Sequence, residues 1–340
     1  MSQCANRACR CCVQRSVDYI QFLYSKRDAE VVDYEISYDK TLQACIGIGL
    51  RRKRVDQHKA YLISKNDTND LAWFVSCQGS HPGRWLEMSP KTSYSTMTPK
   101  EFECQLFPNP FIIDGARCNC KESPRIDVQG VHITTGCGKD GYRHRTHDNI
   151  ARTLESISRI CGIRTQIEEQ RCFQEAFPNS LRRPDLSFIN APKRHRKVVA
   201  DVMVTGSVGT QALSTNMALK EYRAADKAHA DKCRSYKDLA SANNLEFVAM
   251  IFESTGKIHP ETVKFIDDIL KQHAGRDPVR LGRIKRFWYA AISFSLQKSL
   301  AQSLLNRAKN INGRYDPPFA FTDLAIERTV FENDQFNICE

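Results

Sequence analysis

No apolar run in this chain approaches the roughly 18 residues that a membrane-spanning helix needs. The opening residues, MSQCANRACRCC, also lack the apolar stretch that heads a secretory signal. The first absence argues against a transmembrane protein and the second against an exported one. The expectation is therefore an intracellular protein without a membrane partner, in the nucleus ahead of the cytoplasm. Neither an internal repeat nor a low-complexity tract is found, which sets aside solenoid and array architectures. Acidic residues are in short supply: 39 Asp and Glu stand against 50 Lys and Arg, a net charge of +11 with a pI near 9.0. A field of that sign draws polyanions, nucleic acid first and anionic membrane second. With no secretory address, the 14 cysteines read as metal ligands and buried thiols rather than as a disulfide framework.

What is present suffices for a sizeable core: 340 residues, 41% hydrophobic and 26% charged, fit one large or two ordinary globular domains. Residues 1–110 say little. ACIGIGL and LAWFVSC read as short buried strands or helix segments, and a turn-rich stretch leads to a helix around PKEFECQLF. From residue 148 the pattern sharpens. DNIARTLESISRICG predicts a helix with Asp148 as N-cap, Ile150, Leu154, Ile157 and Ile160 on one face, and Gly162 as its stop. IRTQIE, RPDLSFI and KVVADVMVT read as strands, with a basic turn between the last two. NMALKEYRAADKAHADKCRSYKDLASANN is a long polar-faced helix, LEFVAMIFES a fourth strand and ETVKFIDDILKQHAG another helix. The order of the core is αβββαβ. Beyond it, RLGRIKRFWYAAISFSLQKSLAQSLLNRAKN predicts a basic amphipathic helix or helix pair. Nine Lys and Arg against the single acid Asp277 lie between Lys271 and Lys309. Such a run suits either a solvated outer face or one turned toward nucleic acid.

Two acids stand out because they interrupt apolar strands. Asp185 begins RPDLSFI's apolar run and Asp201 lies inside KVVADVMVT. A carboxylate among buried side chains is costly unless a cation or hydrogen bonds satisfy it. If the two strands pair, both groups reach one point, and a divalent cation such as Mg²⁺ or Mn²⁺ accepts two carboxylates with waters and phosphate oxygens. That arrangement suits phosphodiester hydrolysis. Glu168, at the end of the first strand, offers a third oxygen. The plainer alternative is that Asp185 caps a turn after Pro184 and Asp201 pairs with a nearby arginine.

CNCKESPRIDVQGVHITTGC spaces Cys118, Cys120, His132 and Cys137 as Cys-x-Cys, eleven residues, His, four residues, Cys. Three thiolates and an imidazole match a closed, structural zinc site, with Gly130 and Gly136 allowing the turns. His144 is an alternative fourth ligand, and free thiols beside an unrelated histidine are the plain reading. Cys4, Cys9, Cys11 and Cys12 form a second, more crowded group. His147 can orient a phosphate or simply cap the helix start.

In order, the chain carries the cysteine and histidine cluster; THDNI with His147; Gly162 leading to Glu168; RRPD ending in Asp185; DVMVT beginning with Asp201; and Lys232 followed by Tyr236. With the αβββαβ order, these motifs resemble the PD-(D/E)xK nucleases. More narrowly, they resemble the restriction-endonuclease-like domain of non-LTR retrotransposon and related reverse-transcriptase-type proteins. The resemblance covers about residues 70 to 300. No polymerase palm motif precedes it, and the 117 residues before Cys118 are too few for one. It implies an α+β fold and a metal-dependent DNA endonuclease of retroelement origin. Asp185, Asp201 and Glu168 would hold Mg²⁺ or Mn²⁺, Lys232 would assist, and Zn²⁺ would be structural. One departure matters. The family's lysine two residues after the second acid is Met203 here. Members of the fold move it to the following helix, where Lys232 is the best match, then Lys220 and Lys227; each also reads as part of a solvated helix face.

Residues 181–240 hold twelve Lys and Arg and six acids. Arg182 and Arg183 precede the first acid, while Lys193, Arg194, Arg196 and Lys197 fill the hairpin turn and suit a grip on phosphates. The expected partner is nucleic acid, DNA ahead of RNA, with a homodimer left open. The expected division is a region of unclear fold at 1–110, a zinc module at 111–147, the nuclease-like core at 148–275 and a basic helical extension at 276–340. Two rival readings are kept: a catalytically inactive nucleic-acid-binding protein with the same fold, and a zinc-stabilised protein-interaction module.

Overall fold

The computed structural model describes residues 59–64, 68–78, 81–88, 96–106, 116–126, 130–138, 141–208 and 219–312. Its centre is a mixed four-stranded sheet in the order β1 (Arg164–Ile167), β2 (Leu186–Ile189), β3 (Val198–Thr205), β4 (Glu246–Glu253). The first three strands run antiparallel in turn, and β3 and β4 are parallel. The helices are α1 (Thr68–Ser76), α2 (Pro99–Leu106), α3 (Tyr142–Ile160), α4 (Arg223–Ala242), α5 (Pro260–Ala274) and α6 (Pro278–Asn312). The chain is thus a mixed α and β fold, with its four strands in the order read from the sequence. Among the described residues no helix is long and apolar enough to cross a membrane.

β2 and β3 read as near-continuous apolar runs because both faces of the sheet are covered. Val198, Ala200, Val202, Met250 and Phe252 face Ile150, Leu154 and Ile157 of α3, Phe265 and Ile269 of α5, and Trp288, Leu296 and Leu300 of α6. On the opposite face Met203, Ala249 and Ile251 meet Ala225 and Ala228 of α4, and Val199 meets Ala240. Period-two alternation therefore assigns Asp201, between Ala200 and Val202, to the α4 side.

Two helices depart from expectation. α3 starts at Tyr142 with Gly141 in the left-handed N-cap position (φ 68°), so Asp148 lies inside the helix and not at its cap. YRHRTH supplies the extra turns, and the helix runs through the expected boundary at 147/148. α6 is one helix of 35 residues that starts at Pro278, just inside the expected segment 276–340. Its first turns carry exposed Arg280, Arg283 and Arg286, but every residue from Trp288 to Ala301 is buried. It is therefore a core helix and not a basic amphipathic one. Serines make this workable: Ser299 and Ser303 donate their hydroxyls to the carbonyls of Ser295 and Ser299 (both 2.8 Å), and Asn149 and Thr153 of α3 bond Ser299 (2.8 Å) and Ser295 (3.1 Å). Small, internally satisfied side chains let α3 and α6 pack closely.

The described residues before 110 belong to the same body. LAWFVSC is part of helix α1, and PKEFECQLF contains α2 as expected. At the end of α1, Ser76 Oγ lies 2.5 Å from Thr255 Oγ1, and the buried Lys257 donates to Val75 O at 2.9 Å. ACIGIGL, the group Cys4, Cys9, Cys11 and Cys12, and the tail after 312 lie outside the described residues.

Candidate acidic and metal-binding sites

The register across three strands aligns the acids. Ile167 pairs with Leu186 and Leu186 with Ala200, so the next step in each ladder sets Glu168, Asp185 and Asp201 in one row. The Glu168 amide donates to the Asp185 carbonyl at 3.0 Å, which fixes that step. Asp185 Oδ2 accepts from the Val202 amide at 2.6 Å, so its carboxylate leans onto β3 beside Asp201. Burial and the neighbouring Asp185 both raise the pKa of Asp201, and Lys232 and Tyr236 partly offset them. Two carboxylates are thus held close enough to repel.

Each acid is braced from a different helix. From α3, His147 Nε2 sits 2.8 Å from Asp185 Oδ2, while its Nδ1 sits 2.9 Å from Asp148 Oδ1. Burial works against the charged imidazole, but bonds to Asp185 and then Asp148 outweigh it and raise its pKa from 6.5 to about 9. From α4, Lys232 Nζ lies 2.5 Å from Asp201 Oδ2, with Tyr236 also close enough to act on the Asp201 carboxylate. Burial and then Asp201 push the Tyr236 phenol up, so it stays protonated as a donor. Met203 packs against alanines of α4. Lys232 thus stands one turn before Tyr236, at i and i+4 on the same face of the helix. Lys220 and Lys227 lie outside this group; both are exposed.

Glu168 behaves differently from its two neighbours in the row. Its backbone is left-handed (φ 48°), and its half-exposed carboxylate pairs with Arg183 Nη2 at 3.0 Å. Arg182 bonds the Ser235 carbonyl and stacks its guanidinium 5.7 Å from the Tyr236 ring, which puts it beside the acids. The hairpin turn is elsewhere. It joins the far end of β2 to the start of β3, and three of its cations are spoken for: Lys193 by Asp268 (2.7 Å), Arg194 by Glu246 and Lys197 by Glu169. Arg196, the fourth, is exposed. The turn's position and pairing correct the expectation of a phosphate grip beside the acids.

The Cys3His cluster assembles as its spacing predicts. A short bridge between Arg117 and Arg125, with the Cys118 amide bonded to Pro124 O at 2.9 Å, folds the first two cysteines into a knuckle. The wide turn His132–Gly136 then closes with the Cys137 amide on His132 O at 2.7 Å, bringing residues five apart to one side. The four ligand atoms lie within 4.8 Å of one another, with Cys118 Sγ 3.7 Å from Cys137 Sγ and Cys120 Sγ 3.4 Å from His132 Nε2. Zn–S bonds of about 2.3 Å and a Zn–N bond of about 2.0 Å in a tetrahedron require separations of roughly 3.5 to 3.8 Å. The cluster can therefore bind a metal such as zinc. His144 is not part of it; it is exposed on α3.

Three participants escaped sequence reasoning in their actual roles. His147 braces Asp185, which a helix extended to Tyr142 could have signalled. Tyr236 braces Asp201, and the Lys-x-x-x-Tyr spacing marks that face. Buried Arg307 donates to Cys137 Sγ at 2.7 Å from 170 residues away, for which no local signal exists. No family model matches the chain, and no curated protein matches it.

Proposed function

We propose that this protein is a metal-dependent endonuclease with a PD-(D/E)xK-type core, acting on nucleic acid, DNA ahead of RNA. The observation that carries the reading is the row of Asp185 and Asp201 with Lys232 Nζ 2.5 Å from Asp201 Oδ2. A pair of carboxylates in which burial first and the neighbouring Asp185 second raise the Asp201 pKa is a donor set that suits Mg²⁺ or Mn²⁺, a hard cation with oxygen ligands. When bound, such a cation lowers the pKa of water and balances charge on phosphorus. Asp185 and Asp201 would hold it. Lys232 sets a fixed positive charge beside the phosphate and orients the water with Asp201. Tyr236 and His147 fix the two carboxylates, and Arg182, stacked on Tyr236, meets the phosphate backbone. Glu168 contributes a ligand only if Arg183 releases it. A Cys3His-bound Zn²⁺ has a structural role.

Nicking of supercoiled plasmid tests the reading. Activity is expected with Mg²⁺ or Mn²⁺ and none with EDTA, and Asp185→Ala should abolish nicking while leaving DNA binding in place. Undiminished nicking by that variant overturns the assignment. One observation favours a second reading, a nucleic-acid-binding protein that no longer cuts: Asp185 Oδ2 already accepts from both His147 and the Val202 amide. In that case Mn²⁺ titration gives no binding that depends on Asp185 and Asp201.

A further inference from the structure

We infer that Arg307 is a working part of the Cys118, Cys120, His132 and Cys137 metal centre, and that metal loading through it locks the C-terminal half of α6 onto the core. The inference is independent of the nuclease reading. Arg307 is 0% exposed, and its Nη2 donates to Cys137 Sγ at 2.7 Å. A guanidinium does not deprotonate in proteins, so the charge is permanent and buried. Its burial calls for an opposite charge within reach.

A divalent ion held by three thiolates and a neutral imidazole supplies that counter-charge: two positive charges against three negative leave a net of minus one. Arg307 brings the sum to zero. The wall around it is apolar, with Ala301, Leu304, Leu305 and Ala308 of α6 packed on Cys118, Ile126, Ile133 and Cys137. In such surroundings a guanidinium bonded to a ligand sulfur favours the anionic centre. Groups that bond a metal's ligands commonly change affinity about 10- to 100-fold when removed. The contact also joins the centre to the helix that floors the sheet. Cys137 lies four residues before Gly141, the N-cap of α3, and α3 carries His147. The centre therefore holds two core helices, one by sequence and one by charge.

Three full-length proteins test this: the natural sequence, Arg307→Met, which keeps much of the bulk without charge, and Arg307→Lys, which keeps charge without the fork. Zinc content is measured after purification, and zinc loss is followed as transfer to a colorimetric chelator. The expected result is a zinc affinity about 10- to 100-fold lower in Arg307→Met, with Arg307→Lys between. Equal retention in Arg307→Met overturns the inference, as does an equal melting-temperature loss in zinc-loaded and zinc-stripped protein, which marks a packing role only. Should Arg307→Met fail to fold, hydrogen exchange on the natural protein decides. Stripping zinc must deprotect residues 301–310, and unchanged protection there, or a natural protein that binds no zinc, overturns it.

Discussion

A lysine within 2.5 Å of a buried aspartate can be either a catalytic group or a neutralising partner, and the two differ in what its loss does. In the proposed mechanism Lys232→Met is expected to lower nicking about 10²- to 10³-fold, the range seen when a single charge-stabilising donor is lost. Mn²⁺ affinity should be kept or raised, since a competing cation is gone. Loss of Mn²⁺ binding along with activity would mark Lys232 as a structural partner. Asp185 and Asp201 were legible from sequence because a charge inside an apolar run has few explanations. Lys232 was legible as the best of three candidates only through its spacing to Tyr236. The braces on the acids were not, because His147 reaches Asp185 from a helix whose start depends on a glycine at positive φ. The hairpin cations misled for a related reason. Their sequence position beside the acids is close, but β2 and β3 carry the turn to the other end of the ladder, where Asp268, Glu246 and Glu169 wait.

At the scale of an element, α6 shows how a core helix can look like a surface one. Nine cations in the region and several serines hid a segment buried on all sides, because Ser299 and Ser303 each bond the carbonyl one turn back, Ser293 and Ser295 bond Trp85 and Asn149, and Lys298 Nζ reaches Thr96 O at 2.8 Å. Widening one of these small positions should separate α3 from α6: Ser299→Leu is expected to cost about 1 to 3 kcal/mol of stability by overpacking, read from the midpoint of urea unfolding. Helix α5 offers a pH-dependent counterpart. Its N-cap His259 accepts the Glu261 amide on Nδ1 at 3.2 Å, and Nε2 lies 3.3 Å from Asp226, with His229 stacked at 4.3 Å. Burial first and His229 second lower its pKa, against Asp226 and Glu261, so the folded state favours the neutral cap. A depressed folded pKa means that this contribution is whole above the ordinary value near 6.5 and is lost as pH falls through the folded value. Thermal unfolding between pH 7 and 5 should therefore show His259→Asn less acid-sensitive than the natural protein. An equal slope in both would place the acid sensitivity elsewhere.

For the whole molecule, net charge predicts attraction to a polyanion but not where it lands. Because Lys193, Arg194 and Lys197 are already paired, Lys193→Ala is expected to leave the salt dependence of DNA affinity nearly unchanged. Arg182→Ala should reduce the slope of log affinity against log salt by about one. Fluorescence anisotropy over a salt series reads both, and a reversed pattern would return the interface to the hairpin turn. The length of α6 has a consequence for the order of synthesis. The strands and α3 leave the ribosome well before residues 288–308, which floor the sheet and back the Cys3His cluster. A nascent chain therefore holds a finished sheet sequence with one face bare until that helix arrives. Contacts of such sequence separation fold slowly. Closure of the fold must consequently wait for that helix, and a chain stopped before Trp288 is expected to be a substrate for chaperones and proteases, not a smaller version of the same protein.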